Sequence, residues 1–322
     1  MDNSIAENKM PNIAGIDIGG TKISGAVIND GKIVSEVLSA KTPYTTQAIF
    51  NEVFQIVEKF KRDYELSAIA VATAGAVNNE NSKIISSTGN LPSGYPDFPI
   101  KEEFEKKFDL FTFVENDANA AAYAEYKVGA AQGYPNTVAV TLGTGIGGGI
   151  IVNGRLLRGK SGAAAEIGHL IFGVNKKRPC TCGYYDCFEC LASGTGYLIT
   201  AKEMAGSEKS FAGSILKDKN IEDLTTYDII SELKKEDEFC TAVHNRWELY
   251  LTAGFISLAN IFDPDVIVLS GGMGQFVNIK KIETEVNKQI VTTPLKILPA
   301  KAGNYAGMIG ASLLAEEKLL TK

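Results

Sequence analysis

Hydrophobic and polar positions alternate along the chain in a pattern typical of an α/β protein. Near the N-terminus they predict three strands, IAGIDIG, KISGAVI and KIVSEVL, with Asn29-Asp30-Gly31 as a hairpin turn between the last two. Apolar residues then recur at helical spacing over residues 46–64, and the apolar run at 68–73 predicts the next strand. Strands and helices that alternate in this way favour a sheet covered by helices.

The same strand-and-turn arrangement recurs in the middle of the chain. A helix near 101–108, a strand at 110–114 and an Ala-rich helix place Glu115-Asn116-Asp117 at a strand-to-helix junction. Strands at 137–141 and 147–152 then repeat the N-terminal arrangement, without detectable sequence identity. Helices near 196–204 and 239–262, a strand at 265–269 and a last helix follow. Because 322 residues exceed one ordinary core, we predict two lobes of similar design with a cleft between them.

Composition narrows the class of protein. Hydrophobic residues make up 45% of the chain and charged residues 22%, the balance of a globular protein. The net charge is −6 and the longest basic run is Lys176-Lys177-Arg178, which argues against a nucleic-acid surface. Neither an apolar run of membrane-spanning length nor an apolar signal core occurs, so we expect a cytoplasmic protein without nucleic-acid or membrane partners.

Three glycine-rich turns are candidate nucleotide-binding elements. The first, DIGGTK at 17–22, lets backbone N–H groups approach phosphate oxygens, and its Asp17 can orient Mg²⁺ through water. It is neither a Walker loop nor a Rossmann fingerprint, because a strand follows Lys22. The second turn has five glycines within 143–149, and the third, 270–274, follows a buried strand and can lie under an adenine ring. The alternative interpretation of each is a purely structural turn.

Asp117 is the candidate general base. A carboxylate at a helix N-terminus stays ionised and can accept a hydrogen bond from an attacking hydroxyl. Its alternative interpretation is a helix cap, and the two roles are compatible.

Four cysteines lie within eleven residues and predict a metal site. In a reducing compartment, Cys180, Cys182, Cys187 and Cys190 are poor candidates for disulfides, and their spacing suits a closed structural Zn²⁺ site. From the residues alone, all four cysteines are possible ligands.

Taken together, these motifs resemble the actin and hexokinase superfamily and, more narrowly, the ROK family of bacterial sugar kinases and sugar-responsive repressors. The matching segments are 17–22, 115–120, 142–149, EIGH at 166–169, CTCG at 180–183, CFE at 187–189 and 270–272. The resemblance covers nearly the whole chain. Asp186 and Cys190 depart from the family pattern and leave the fourth zinc ligand open.

The resemblance implies an α/β fold of the two-lobed, actin-like ATPase type (ribonuclease H-like), with the active site in the interlobe cleft. The expected lobes are 1–117 plus 304–322, and 118–303 with the zinc-binding loop. The implied activity is ATP-dependent transfer of the γ-phosphoryl group to the 6-hydroxyl of a hexose. Glucose is the first expected substrate, N-acetylmannosamine or N-acetylglucosamine the second and fructose the third. We expect a homodimer or a dimer of dimers.

The resemblance also implies specific site residues. Asp117 is the catalytic residue, and the expected ligands of ATP and Mg²⁺ are Asp17, Gly19, Gly20, Thr21, Lys22, Thr144, Gly145, Gly271 and Gly272. The expected sugar-binding residues are Gly75, Asn90, Asn116, Asp117, Glu166, His169 and Glu189. The implied Zn²⁺ ligands are His169, Cys180, Cys182 and Cys187, with Cys190 a bystander. A repressor role is the remote alternative, and only a short polar tail precedes Ile13 where such proteins carry a DNA-reading domain.

Overall fold

The computed structural model describes residues 10–86, 91–207 and 210–321. Its strands are β1 (Ile13–Ile18), β2 (Lys22–Asn29), β3 (Lys32–Ile33), β4 (Leu38–Lys41), β5 (Ala68–Thr73), β6 (Ala76–Val77), β7 (Ile84–Ser86), β8 (Phe111–Asn116), β9 (Thr137–Leu142), β10 (Ile146–Val152), β11 (Arg155–Leu156), β12 (Val266–Ser270) and β13 (Lys296–Pro299). Its helices are α1 (Thr46–Asp63), α2 (Ile100–Phe108), α3 (Asp117–Val128), α4 (Phe188–Ala192), α5 (Gly194–Ser207), α6 (Ser210–Gly213), α7 (Thr226–Leu233), α8 (Glu238–Phe262), α9 (Ile279–Gln289) and α10 (Ala306–Leu320). In this described part of the chain, no helix is both long and apolar enough to cross a membrane.

The chain folds into two compact units. The first runs up to Gly129 and also includes 158–164 and the C-terminal part from Ala302, while the second contains 130–157 and 165–301. The first unit therefore extends beyond the predicted lobe end at residue 117, because α3 packs along α10. The segment 158–164 also belongs to the first unit, although the predicted second lobe, 118–303, contained it.

The two units share a sheet design. In the first, the main strand order is β3-β2-β1-β5-β8, and in the second it is β11-β10-β9-β12-β13. Each begins with antiparallel strands joined by a glycine hairpin and continues with two parallel strands. This likeness matches the similar lobes that the sequence predicts.

Each unit has its own hydrophobic core. The helix predicted at 46–64 is confirmed as α1, whose Thr45 hydroxyl caps the helix by accepting from Ala48 N (3.3 Å). Its apolar stripe is buried, namely Ile49, Phe50, Val53, Ile56, Val57 and Phe60. In the second unit, α8 runs through the core, where the Trp247 indole donates to the Ala192 carbonyl (2.7 Å).

The third predicted strand, KIVSEVL, is wrong as a continuous element. Its pairing as β3 ends at Ile33, and a separate β4 then pairs with the other end of β2. The interruption has a local cause. The Ser35 hydroxyl accepts from Val27 N (2.8 Å), where a backbone carbonyl of the neighbouring strand would accept in a continuous sheet. The helices α7 and α9 and the strand β13 were not predicted.

Gly310 allows α10 to pack closely against α3. A Cβ atom on Gly310 would overlap the carbonyl oxygen of Ala120. We expect Gly310→Ala to lower the free energy of unfolding by about 3 kcal/mol, since backbone atoms cannot yield as a flexible side chain can. Gly206→Ala in α5 is the matched control, because nothing lies near its Cβ and helix propensity alone favours alanine. Urea denaturation of both variants checks this, and equal stabilities would contradict it.

Candidate active site

The first glycine turn joins β1 to β2. Gly19 N donates to the Lys22 carbonyl (3.0 Å), and the Thr42 hydroxyl donates to the Gly19 carbonyl (2.6 Å). Gly20, Thr21 and Lys22 are exposed at its tip. The turn is therefore held at its base while its tip is open to an anion.

Asp17 lies on β1, directly below this turn, and is partly buried. Burial and the nearby Asp117 carboxylate raise the pKa of Asp17 to about 7, against the opposing Lys22 ammonium. The beginning of α10 packs here, since a Cβ on Gly307 would lie 3.1 Å from Asp17 Oδ2. A carboxylate whose negative charge is so little compensated by other groups of the unit is suited to binding a cationic ligand.

We expect Asp17→Asn to stabilise the ligand-free protein at pH 8. An acid whose pKa is about 7 in the folded protein, rather than 3.8, takes up a proton on folding between these pH values. The free-energy cost of keeping Asp17 ionised in the folded protein is therefore absent below pH 4, grows as the pH rises and is complete above pH 7. At about 1.4 kcal/mol per pKa unit the cost is up to about 4 kcal/mol. The gain in unfolding free energy should shrink between pH 8 and pH 5.

Denaturant unfolding at several pH values measures this, with exposed Asp97→Asn as the control. If Asp17→Asn were less stable than the wild type at pH 8, the fold itself would compensate the Asp17 charge.

The β8–α3 junction presents Asp117. Asn116 caps α3, because its Oδ1 accepts from Asn119 N (3.0 Å). Asp117 is therefore not the cap but the first residue of the helix, and its Oδ1 accepts from Ala118 N (2.8 Å) and Asn116 Nδ2 (3.1 Å). Burial raises the pKa of the Asp117 carboxyl, and the Ala118 N–H and the Asn116 amide oppose that rise. A held carboxylate with a raised pKa is a good proton acceptor.

Gly75 is a further predicted sugar residue in the first unit. Gly75 has φ +97°, and its carbonyl accepts from Asn116 Nδ2 (3.0 Å), which ties the Gly75 backbone to the junction. Asn90 lies outside the described residues.

The second glycine turn joins β9 to β10. Gly143 N donates to the Gly145 carbonyl (3.0 Å), and Thr144 is exposed at the tip. Glu189 packs against this turn, because its Oε2 accepts from Ile146 N (2.9 Å) and would meet a Cβ on Gly145. The structure thus places the predicted sugar residue Glu189 beside the predicted phosphate turn.

The third glycine turn packs on the end of β9. Gly271 has φ +86°, and a Cβ there would overlap the Leu142 carbonyl, so glycine is required on both counts. Gly272 is exposed beside it. Gly271 therefore packs against the end of β9, which Gly143 follows directly.

Sequence reasoning missed Gly194 and Thr195 at the start of α5. Gly194 N donates to the Gly143 carbonyl (2.8 Å), and the Thr195 hydroxyl donates to the Thr144 carbonyl (2.9 Å). The segment SGTG at 193–196 resembles the other glycine turns, and that was the available signal.

The zinc-loop residues gather as a cluster. The ligand atoms of His169, Cys180, Cys182 and Cys187 all lie within 4.8 Å of one another. Cys180 Sγ is 3.5 Å from His169 Nδ1, and Cys182 Sγ is 3.7 Å from Cys187 Sγ. A tetrahedral ion with Zn–S of about 2.3 Å and Zn–N of about 2.0 Å requires an N–S separation of about 3.5 Å and an S–S separation of about 3.8 Å, so these donors fit Zn²⁺.

Neighbouring residues have other contacts. Cys190 Sγ donates to the Pro179 carbonyl (3.3 Å) instead of joining the cluster. Asp186, the departure from the family pattern, has φ +53° and accepts from the backbone N–H groups of Lys177 (3.2 Å) and Arg178 (2.8 Å). It therefore shapes the loop. Glu166 is exposed and precedes the short 3-10 helix that ends at His169.

Known proteins share this architecture over nearly the whole chain. A glucokinase of Streptomyces coelicolor is 33% identical over 312 residues, 94% of this chain and 97% of that protein. An N-acetylmannosamine kinase of Haemophilus influenzae is 31% identical over 313 residues, 95% of this chain and 96% of that protein. A crystal structure of a ROK family glucokinase from Streptomyces griseus in complex with glucose and AMPPNP matches with a TM-score of 0.78 and 30% identity, covering 95% of this chain and 99% of that one.

The paired sheets and their glycine hairpins define an actin-like α/β protein, which confirms the predicted fold class. A model of the ROK family matches residues 13–318. The chain belongs to the ROK family.

Proposed function

We propose that this protein is an ATP-dependent hexose kinase that transfers the γ-phosphoryl group to the sugar 6-hydroxyl, with glucose as its first substrate. The observation that carries the proposal is Asp117, a held carboxylate with a raised pKa at a helix start. Family membership and the similarity to glucokinases support the same activity.

Asp117 is the general base of the proposed reaction. It accepts the proton of the 6-hydroxyl as that oxygen attacks the γ-phosphorus, while the bond to the β–γ bridging oxygen breaks and ADP leaves. In the first glycine turn, Gly20 and Thr21 offer N–H groups to phosphate, while the Gly19 N–H donates to the Lys22 carbonyl. In the second turn, Thr144 and Gly145 offer N–H groups in the same way. Asp17 would orient Mg²⁺, which neutralises phosphate charge when bound.

The proposed nucleotide and sugar residues complete the assignment. Lys22 offers a cation to phosphate, and Gly271 and Gly272 offer a flat surface to adenine. The residues proposed to bind sugar are Gly75, Asn90, Asn116, Asp117, Glu166, His169 and Glu189. Phosphoryl transfer depends mainly on positioning and charge stabilisation, so the several hydroxyl contacts serve to orient the attacking oxygen.

We assign His169, Cys180, Cys182 and Cys187 as Zn²⁺ ligands, because their spacing fits a tetrahedron. When bound, the ion is structural. Coordination through His169 Nδ1 would fix the ring tautomer and would leave Nε2–H as a donor to a sugar hydroxyl.

Selection among hexoses centres on the C2 substituent. By sequence, Ala76 and the polar loop 78–81 are candidates for contacts to this substituent. In the structure, Asn78 Oδ1 accepts from Ser82 N (2.9 Å), and Asn81 Nδ2 donates to the Val114 carbonyl (2.8 Å). Asn78 therefore holds the loop together, and Asn81 ties the loop to β8. The similarity to an N-acetylmannosamine kinase makes the N-acetylhexosamines the second candidates.

A coupled assay of ADP release tests the function across glucose, mannose, fructose, N-acetylmannosamine and N-acetylglucosamine. We expect glucose to give the highest kcat/KM, and phosphorus NMR should show a 6-phosphate product. Calorimetry runs in parallel with each sugar. Sugar binding without turnover on any hexose would contradict the kinase and favour a non-catalytic sugar-binding protein.

A further inference from the structure

Residues 158–164 form a docked segment on the first unit. The Asn79 amide donates to the carbonyl oxygens of Gly159 (3.4 Å) and Lys160 (2.7 Å). Gly162 has φ +96°, and a Cβ there would overlap the Val77 carbonyl. The segment is therefore fixed at several points along its length, and Arg158 is its first residue.

Arg158 forms an ion pair with Glu115, a fully buried residue next to the β8–α3 junction. Glu115 Oε1 accepts from Asn116 N (2.9 Å) and Asn119 Nδ2 (3.3 Å), and Oε2 accepts from Arg158 Nη2 and Asn81 Nδ2 (3.4 Å). Burying a carboxylate is costly unless it is paired and hydrogen-bonded, so this arrangement requires the guanidinium.

Two of the Glu115 donors flank the proposed catalytic base. Asn116 precedes Asp117 and Asn119 follows it by two residues, and Asn116 Oδ1 also accepts from Asn119 N (3.0 Å). Asn116 Nδ2 then donates to Asp117 Oδ1 (3.1 Å). A continuous chain of contacts thus leads from Arg158 through Glu115 and Asn116 to the Asp117 carboxylate.

We propose that Arg158 is a positioning residue for Asp117, acting through Glu115, which anchors Asn116 and Asn119 on either side of the base. The inference rests on the proposed kinase function. Displacing a reacting group by about 1 Å costs on the order of 10²-fold in rate, so a loosened junction affects kcat more than binding.

The electrostatics of Glu115 support this assignment. Burial raises the pKa of the Glu115 carboxyl, and the Arg158 guanidinium is the foremost group that opposes the rise. Without Arg158, the neutral acid is favoured, and it is a poorer acceptor for Asn116 N and Asn119 Nδ2. Arg158 Nη1 is buried and has no hydrogen-bond partner among the described residues, and Glu115 is the anion with which Arg158 Nη2 pairs.

The test compares Arg158→Met with Arg158→Lys in the full-length protein. Arg158→Met should lower kcat roughly 10- to 100-fold while hexose and nucleotide Kd values stay within about threefold, and Arg158→Lys should recover most of kcat. Amide hydrogen exchange of residues 115–119 should accelerate in Arg158→Met and return towards the wild type in Arg158→Lys.

Lys101→Met is the matched control, because Lys101 lies on α2 and contacts the same strand, β8. Lys101 pairs with Glu105 (2.9 Å) and donates to the Thr112 carbonyl (3.0 Å). It lies 4.5 Å from the centre of the Phe111 ring, much as Arg158 lies 5.9 Å from the centre of the Phe113 ring. The Lys101→Met variant thus removes a comparable cation near the start of β8, whereas Glu115 lies near its end. We expect its kcat and the exchange of residues 115–119 to match the wild type.

The outcomes separate the two proposals. If the wild type turns over and Arg158→Met has unchanged kcat and unchanged hydrogen exchange, the positioning role is overturned. It is also overturned if Arg158→Met loses kcat, affinity and thermal stability equally and Arg158→Lys does not restore them. A wild type without turnover overturns the kinase, while the exchange comparison still decides whether Arg158 holds the junction. If Arg158→Met does not fold, Arg158→Gln, which keeps an N–H donor, takes its place with an expected loss of about tenfold.

Discussion

Asp117→Asn is expected to lower kcat by roughly 10²-fold or more, the usual scale for loss of a general base, and to leave hexose affinity nearly intact. The amide oxygen can still accept from Ala118 N, so the junction keeps its shape. What is lost is the capacity to take the proton of the 6-hydroxyl. Steady-state kinetics and calorimetry with the same hexose measure the two effects separately.

Asp109→Asn is a control for the Asp117 prediction in the same unit. Asp109 ends α2 with φ +54°, a conformation that asparagine adopts readily, so the kcat of Asp109→Asn should equal that of the wild type.

The wild-type kcat/KM should also decline on the acid side at a pH above the ordinary aspartate range, because the pKa of Asp117 is raised. A near wild-type kcat in Asp117→Asn would remove Asp117 from the mechanism.

Loss of a zinc ligand is expected to have the second large effect. His169→Ala should reduce bound zinc from one ion per chain towards none and weaken hexose binding at least tenfold, because in the proposed assignment one ring binds both the metal and the sugar. Cys182→Ser should likewise lose zinc, since its sulfur is part of the cluster. Elemental analysis after dialysis, with calorimetry of hexose binding, measures both quantities.

Cys190→Ser is the control for the zinc prediction. Its sulfur donates to the Pro179 carbonyl, a contact that a serine hydroxyl can also make, so the variant should retain zinc and most activity. Zinc lost from Cys190→Ser but kept in His169→Ala would establish a site made only of cysteines.

Local patterns were sufficient for the elements that present the site. The two glycine hairpins, the strand-to-helix junction at Asp117 and the cysteine loop were all predicted from sequence, since each depends on residues close together in the chain. The same reasoning predicted α1 within one residue, because an apolar stripe at helical spacing is a local property. It was wrong for KIVSEVL, where the Ser35 hydroxyl interrupts a strand that its apolar pattern favours.

Contacts between residues distant in sequence were decided only by the tertiary structure. The cysteine spacing alone allowed four thiolate ligands, and only the family resemblance implied His169 in place of Cys190. The fold brings His169 to the cluster and places the Cys190 thiol against a backbone carbonyl. Likewise, nothing near Arg158 in the sequence indicates that it pairs with Glu115, which lies 43 residues earlier. The sequence therefore determined which local elements carry chemistry, and the packing of strands and loops determined which side chains meet, because that depends on the whole chain at once.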